Sequence, residues 1–68
     1  MDKKKLGKKI KLARIEKDLS QDQLAELIEA NQKSISRYET GIAVPSLETL
    51  EKIVQVVEKP FSYFLDVE

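Results

Sequence analysis

Between Asn31 and Gly41 the chain reads NQKSISRYETG, and Gln32, Lys33, Ser34, Ser36 and Arg37 carry hydrogen-bond donors within the span of one short helix. Side chains of this kind do recognition chemistry. Donors and cations on an exposed helix face suit a polyanion such as DNA, whereas a protein partner calls for an apolar face. The same residue types also occur on any solvated helix, so their meaning depends on the frame around them. Covalent chemistry has little to work with. The chain has no histidine and no cysteine, which excludes thiol catalysis, disulfides and zinc sites of the Cys/His type. Ser20, Ser34, Ser36, Ser46 and Ser62 have no base to activate them, and neither a glycine-rich phosphate loop nor a carboxylate cluster is present. The expectation is a binding protein rather than an enzyme, with no cofactor and no metal.

The elements that hold this face follow from the punctuation. Asn31 reads as the N-cap of a helix from Gln32 to about Tyr38 or Thr40, anchored by Ile35 and Tyr38 and stopped by Gly41. Ahead of it, Ser20 and Gln23 form a capping-box pattern for a helix ending near Ile28 or Glu29. Its expected buried face is Leu24, Ala25, Leu27 and Ile28. A first helix over about Lys3 to Lys17 carries Leu6, Ile10 and Ala13 at helical spacing, with Leu12 and Ile15 widening the stripe. Gly7, which costs about 1 kcal/mol against Ala inside a helix, is expected to be tolerated near the first turn. After the loop from Gly41 to Pro45, Ser46 caps a fourth helix with Leu47, Leu50, Ile53, Val54 and Val57 on one face. Pro60 opens a last short turn bearing Phe61, Phe64 and Leu65. No β-branched run alternates as a strand does. The chain reads as all-α, a compact bundle of five short helices forming a single domain over residues 1–68.

A chain of 68 residues makes one domain with a modest core. It has no apolar run near the roughly 20 residues that span a bilayer, and its lysine-rich start is followed by no signal-peptide core. A cytoplasmic protein without a membrane partner is expected. The formal net charge is zero, yet its distribution is uneven. Residues 1–41 hold ten Lys/Arg against seven Asp/Glu, and residues 42–68 hold two against five. Lys3, Lys4, Lys5, Lys8, Lys9 and Lys11 crowd the start, so one end can face phosphates while the other faces away. A plain solubilising face would look the same.

The block QDQLAELIEANQKSISRYETG places two short helices about three residues apart, too close to lie as a long antiparallel hairpin, so they must cross steeply. Ala25 supplies the small residue at the approach, while Leu24, Ile28, Ala30, Ile35 and Tyr38 plug the angle. With KKIKLARIEKDLSQDQLAELI, NQKSISRYETG, PSLETLEKIVQVV and FSYFL in this order, the chain resembles the phage lambda-repressor and Cro type of helix-turn-helix over nearly its whole length. The resemblance implies a DNA-binding transcriptional regulator, most simply a repressor. It implies that the third helix enters the major groove, with Gln32 and Lys33 at base edges. Ser36 and Arg37 would reach further bases or phosphate, and Ser34 would be a secondary contact. Gln21 would touch phosphate and brace the recognition helix, with Thr40 and the Gly41 backbone beside the sugar-phosphate chain. It also implies a partly buried, structural ion pair between Arg14 and Glu39.

Two departures stand out. Glu29 occupies a turn position where the family usually has glycine, so the backbone there is strained by about 1 kcal/mol or takes another shape. The loop after Gly41 is apolar, Ile42-Ala43-Val44, where phage repressors are often basic; it either packs inward or forms a partner surface. A single module buries only about 600–1,000 Å² on DNA, so a homodimer on a pseudo-palindromic double-stranded operator is expected. Its interface would lie in the C-terminal segment, with Tyr63 and Val67 as its contacts and Phe61, Phe64 and Leu65 closing the core. The alternative is a protein-binding module of the same fold, of antitoxin or coactivator type. The chain stands equally as a small regulator or as the N-terminal domain of a longer repressor.

Overall fold

Each of the first four helices begins where a side chain satisfies backbone N–H groups that the helix itself cannot. In the computed structural model, which describes residues 2–65, the elements are α1 (Lys3–Glu16), α2 (Gln21–Leu27), α3 (Gln32–Thr40), α4 (Leu47–Val57) and α5 (Phe61–Leu65). The Asp2 carboxylate accepts from the backbone N–H of Lys4 at 2.9 Å. Ser20 and Gln23 close a reciprocal capping box, 3.0 Å and 2.8 Å. Asn31 accepts from the Ser34 N–H at 2.8 Å, and Ser46 from that of Thr49 at 3.1 Å. A cap of this kind is worth about 1 kcal/mol. Helix ends are marked by left-handed backbone: Gly41 at φ 82°, and the non-glycines Asp18, Glu29 and Glu58 at 57°, 60° and 59°. The turn at Glu29 is therefore left-handed without glycine.

One core joins all five helices: Leu6, Ile10 and Ala13 from α1, Leu24 and Ala25 from α2 with Ile28 behind it, Ile35 from α3, Leu50, Ile53 and Val57 from α4, and Phe64 from α5. It is narrower than the apolar pattern predicts. Leu12, Ile15, Leu27, Leu47 and Leu65 are exposed, not buried. Helices of these lengths face the core on one side only, so apolar residues beyond that stripe stay in water. Val54 and Phe61 are half-buried and pack against the core. Tyr63 does so too, although its spacing sets it off the closing stripe. The loop after Gly41 turns outward, with Ile42 and Val44 exposed while Pro45 is buried. Its backbone is fixed by the Ile42 and Ala43 N–H groups, which both donate to the Arg37 carbonyl, at 3.0 Å and 3.1 Å.

Surface ion pairs tie the end of α1 to the α4–α5 junction: Lys17 with Glu58, and Lys59 with Glu16. The hydrogen bond and charge of Lys17 hold the Glu58 carboxyl below its ordinary range, and Glu16 raises the Lys59 amine in the same way. The first contribution fades as pH falls through the lowered Glu58 value, the second as pH rises through the raised Lys59 value. Both pairs lie at the surface, with Glu58 exposed and Lys59 half-buried, and such pairs stabilise little. Among the described residues no helix is long and apolar enough to cross a membrane.

Gly7 has a larger role than its helix propensity implies. It is buried where α1 crosses α3, and a Cβ there would lie 2.3 Å from the Tyr38 carbonyl oxygen and 2.7 Å from that of Glu39. Backbone oxygens cannot step aside as a flexible side chain can, so any larger residue forces the two helices apart. Gly7→Ala, favourable in an isolated helix, should therefore lower stability by about 1–3 kcal/mol; urea denaturation showing equal or greater stability would refute the requirement.

Candidate nucleic-acid interface

The crossing of α2 and α3 is set by a connection of four residues, Ile28 to Asn31. The Ala30 N–H donates to the Ala25 carbonyl at 2.8 Å, closing the end of α2. Ala25 is 2% exposed, and Leu24, Ile28 and Ile35 are buried with it. With these residues buried, α3 turns Gln32, Lys33, Arg37 and Thr40 outward, all exposed, with Ser34 and Ser36 half-buried beside them.

Beneath this face runs a continuous set of polar contacts. The Arg14 guanidinium donates to Glu39 through Nε at 2.7 Å and Nη2 at 3.1 Å, while Nη1 donates to the Leu19 carbonyl at 2.7 Å. The pair is enclosed, with side-chain exposures of 10% and 2%. Gln21 Nε2 donates to Glu39 Oε1 at 3.1 Å, and Gln32 Nε2 donates to Gln21 Oε1 at 3.4 Å. The carboxylate thus sets which way round the Gln21 amide lies, and the exposed Gln32 amide meets the oxygen that Gln21 turns outward. One N–H and the oxygen of the Gln32 amide remain directed away from Gln21. Among the described residues no buried side-chain polar atom lacks a partner.

The other site residues differ in readiness. Lys33 and Arg37 are exposed and form no ion pair among the described residues. The Thr40 hydroxyl donates back to the Ser36 carbonyl at 2.9 Å, so in this rotamer it offers a ligand only acceptor capacity. Gly41 is half-buried, its N–H given to the Tyr38 carbonyl at 3.2 Å.

Two partners escaped the reading of the sequence. The Leu19 carbonyl as the third acceptor for Arg14 leaves no mark on residue type. Gly7 does leave one: it stands two helical turns before Arg14, hence on the same face as a buried group. At the C-terminal end the Tyr63 ring meets two cations, with Lys9 and Lys59 Nζ each 5.2 Å from its centroid, and Lys9 donates to the Tyr63 carbonyl at 2.9 Å. Val67 lies outside the described residues.

Comparison with known proteins follows this geometry. The helix-turn-helix family matches residues 10–64. A protein of Aeropyrum pernix named as an HTH-type transcriptional regulatory protein is 35% identical over 61 residues, 90% of this chain and 18% of that protein. An HTH-type transcriptional regulator of Rickettsia conorii is 34% identical over 61 residues, 90% of this chain and 49% of its own length. The chain thus spans half or less of the curated relatives it matches. Among solved structures, Bacillus thuringiensis PlcR in complex with the peptide PapR7 and DNA is 38% identical with a TM-score of 0.86, covering 94% of this chain and 22% of that one. ClgR of Corynebacterium glutamicum, 21% identical with a TM-score of 0.89 over 97% of this chain and 70% of that one, shares the fold.

The enclosed pair makes a sharp contrast with the exposed contact between Lys52 and Glu29 at 3.6 Å. Glu39→Ala leaves Arg14 buried without its carboxylate and should cost about 3–5 kcal/mol. Glu29→Ala breaks only a surface pair, worth at most about 1 kcal/mol. Equal melting temperatures for the two variants would remove the pair from its structural role.

Proposed function

Given that the chain belongs to the helix-turn-helix family, we propose that it is a transcriptional regulator that binds a specific double-stranded DNA sequence through α3 in the major groove, acting in the cytoplasm as a repressor. The observation that carries this reading is the run of contacts from the Arg14–Glu39 pair through Gln21 to Gln32. It leaves Gln32 with one donor and one acceptor side by side, the pair that adenine N7 and N6 require. Lys33, next on the same exposed turn, suits guanine O6 and N7. Ser34, Ser36 and Arg37 extend the contact, and Gln21, Thr40 and the Gly41 backbone border it against the sugar-phosphate chain. PlcR, whose matching domain superposes on this chain, was crystallised with DNA, and its identity of 38% supports carrying that partner over. Repression then needs nothing more than occupancy: a domain seated on an operator excludes other proteins from it.

Two copies on a pseudo-palindrome, one turn of about 34 Å apart, give the selectivity that one small module lacks. The C-terminal segment remains the proposed contact between copies. Leu65, 45% exposed at the end of α5, is its best described anchor, since Tyr63 packs against the core and meets Lys9 and Lys59. The exposed apolar group Ile42, Val44 and Leu47 favours a second reading, a module that docks on protein rather than DNA.

Salt separates the readings. If phosphates are neutralised, affinity for duplex DNA selected from a random pool falls steeply between about 50 and 200 mM salt; a flat response, or no binding at low salt, favours the protein partner. Gln32→Ala should abolish preference at one base pair, worth about 1–3 kcal/mol of discrimination, and an unaltered selected sequence would dismiss Gln32 as a reader. Leu65→Lys should shift the chain toward monomer in sedimentation equilibrium, and an unchanged mass would move the contact elsewhere.

A further inference from the structure

Arg37 is the only cation in the last turn of α3. From Gly41 the chain runs Ile42-Ala43-Val44-Pro45-Ser46, without a charge. A helix of nine residues is about 13 Å long, whereas the major groove is about 8.5 Å deep. A helix that enters by its first turn therefore brings Thr40 and Gly41 out near the rim, where the phosphates run. Apart from Arg37, the basic element packed against that point is the start of α1. A Cβ on Gly41 would lie 2.9 Å from Lys4 Cγ and 3.1 Å from Lys4 Cα, so the first turn of α1 rests directly on the end of α3. Lys4 is exposed and forms no ion pair among the described residues. Lys8 and Lys11, one and two turns further along, continue the same face of α1, equally exposed and equally unpaired among the described residues.

We propose that Lys4 is a DNA-phosphate ligand, held beside Gly41 by the contact of α1 with the end of α3, and that Lys8 and Lys11 extend it into a cationic edge along α1. The inference rests on the reading of α3 as the helix that enters DNA. It gives the lysine-rich start a specific partner, the backbone strand met by the C-terminal end of α3. It also gives Gly41 a second duty besides its left-handed φ, because a side chain there would push Lys4 away. Contacts of this kind position the protein without reading sequence.

The test compares Lys4→Gln with Lys5→Gln. Both remove one positive charge from the same exposed turn, but Lys5 leaves the helix about 100° further round, away from Gly7 and α3. Binding to the selected duplex and to an unrelated duplex is measured for the full chain from about 50 to 200 mM salt. Lys4→Gln should weaken both duplexes alike and make the slope of log K against log salt shallower by about 0.9, one phosphate's worth. Lys5→Gln should leave the slope as in the wild type. A wild-type slope retained by Lys4→Gln overturns the proposal, as does an equal loss in Lys5→Gln, which would show a diffuse field rather than a seated contact. If the wild type itself shows no salt-dependent binding, the reading of α3 falls and the proposal falls with it.

Discussion

The whole arrangement depends on how closely α1 lies across α3. At Gly7 the two backbones approach to a distance that admits no side chain, and at Arg14, two turns on, a guanidinium spans the same crossing to Glu39. The approach is what buries the pair, and the pair is what makes the approach specific. A buried charge without its partner is costly, so α3 is held in the one placement that brings Glu39 beneath Arg14. The third bond, from Arg14 to the Leu19 carbonyl, adds the α1–α2 connection to the same anchor. From that anchor hydrogen bonds continue to Gln21 and on to Gln32, over helices already set by the packing of Leu24, Ala25, Ile28 and Ile35. The outer face of α3 is thus set by contacts made on its inner side.

Much of this was legible in the residues, and the reasons differ from element to element. The caps Ser20, Asn31 and Ser46 are local devices whose partners lie three residues away, so the sequence displays them whole. Gly41 is of the same kind. Burial was harder. Leu12, Ile15, Leu27 and Leu47 carry the right polarity for a core, but whether a position is covered depends on where neighbouring helices end. Tyr63 errs in the opposite sense, since it packs against the core and meets Lys9, which lies far along the chain. Arg14 and Glu39 stand 25 residues apart, and no local rule joins them; only likeness to a known pattern brought them together. Gly7 looked like a weak helix former because propensity describes a helix alone, whereas its function is a close approach between two.

Charge is distributed with the same economy. A total of zero conceals a start rich in lysines and a second half whose cations are matched: Lys52 faces Glu29, and Lys59 faces Glu16. Concentrating positive charge at one end gives a neutral chain a directional field without the self-repulsion of a high net charge.

The shared amide contact between Gln21 and Gln32 has an entropic side. A free glutamine on a helix surface samples many rotamers, and freezing it against a ligand costs up to about 1.5–2 kcal/mol. Here part of that ordering is completed when the domain folds, before any ligand arrives. The side chain is correspondingly less free to adapt: a ligand with its donor and acceptor reversed finds an amide that cannot turn over without breaking its bond to Gln21. A contact this exposed biases the orientation of the amide rather than freezing it.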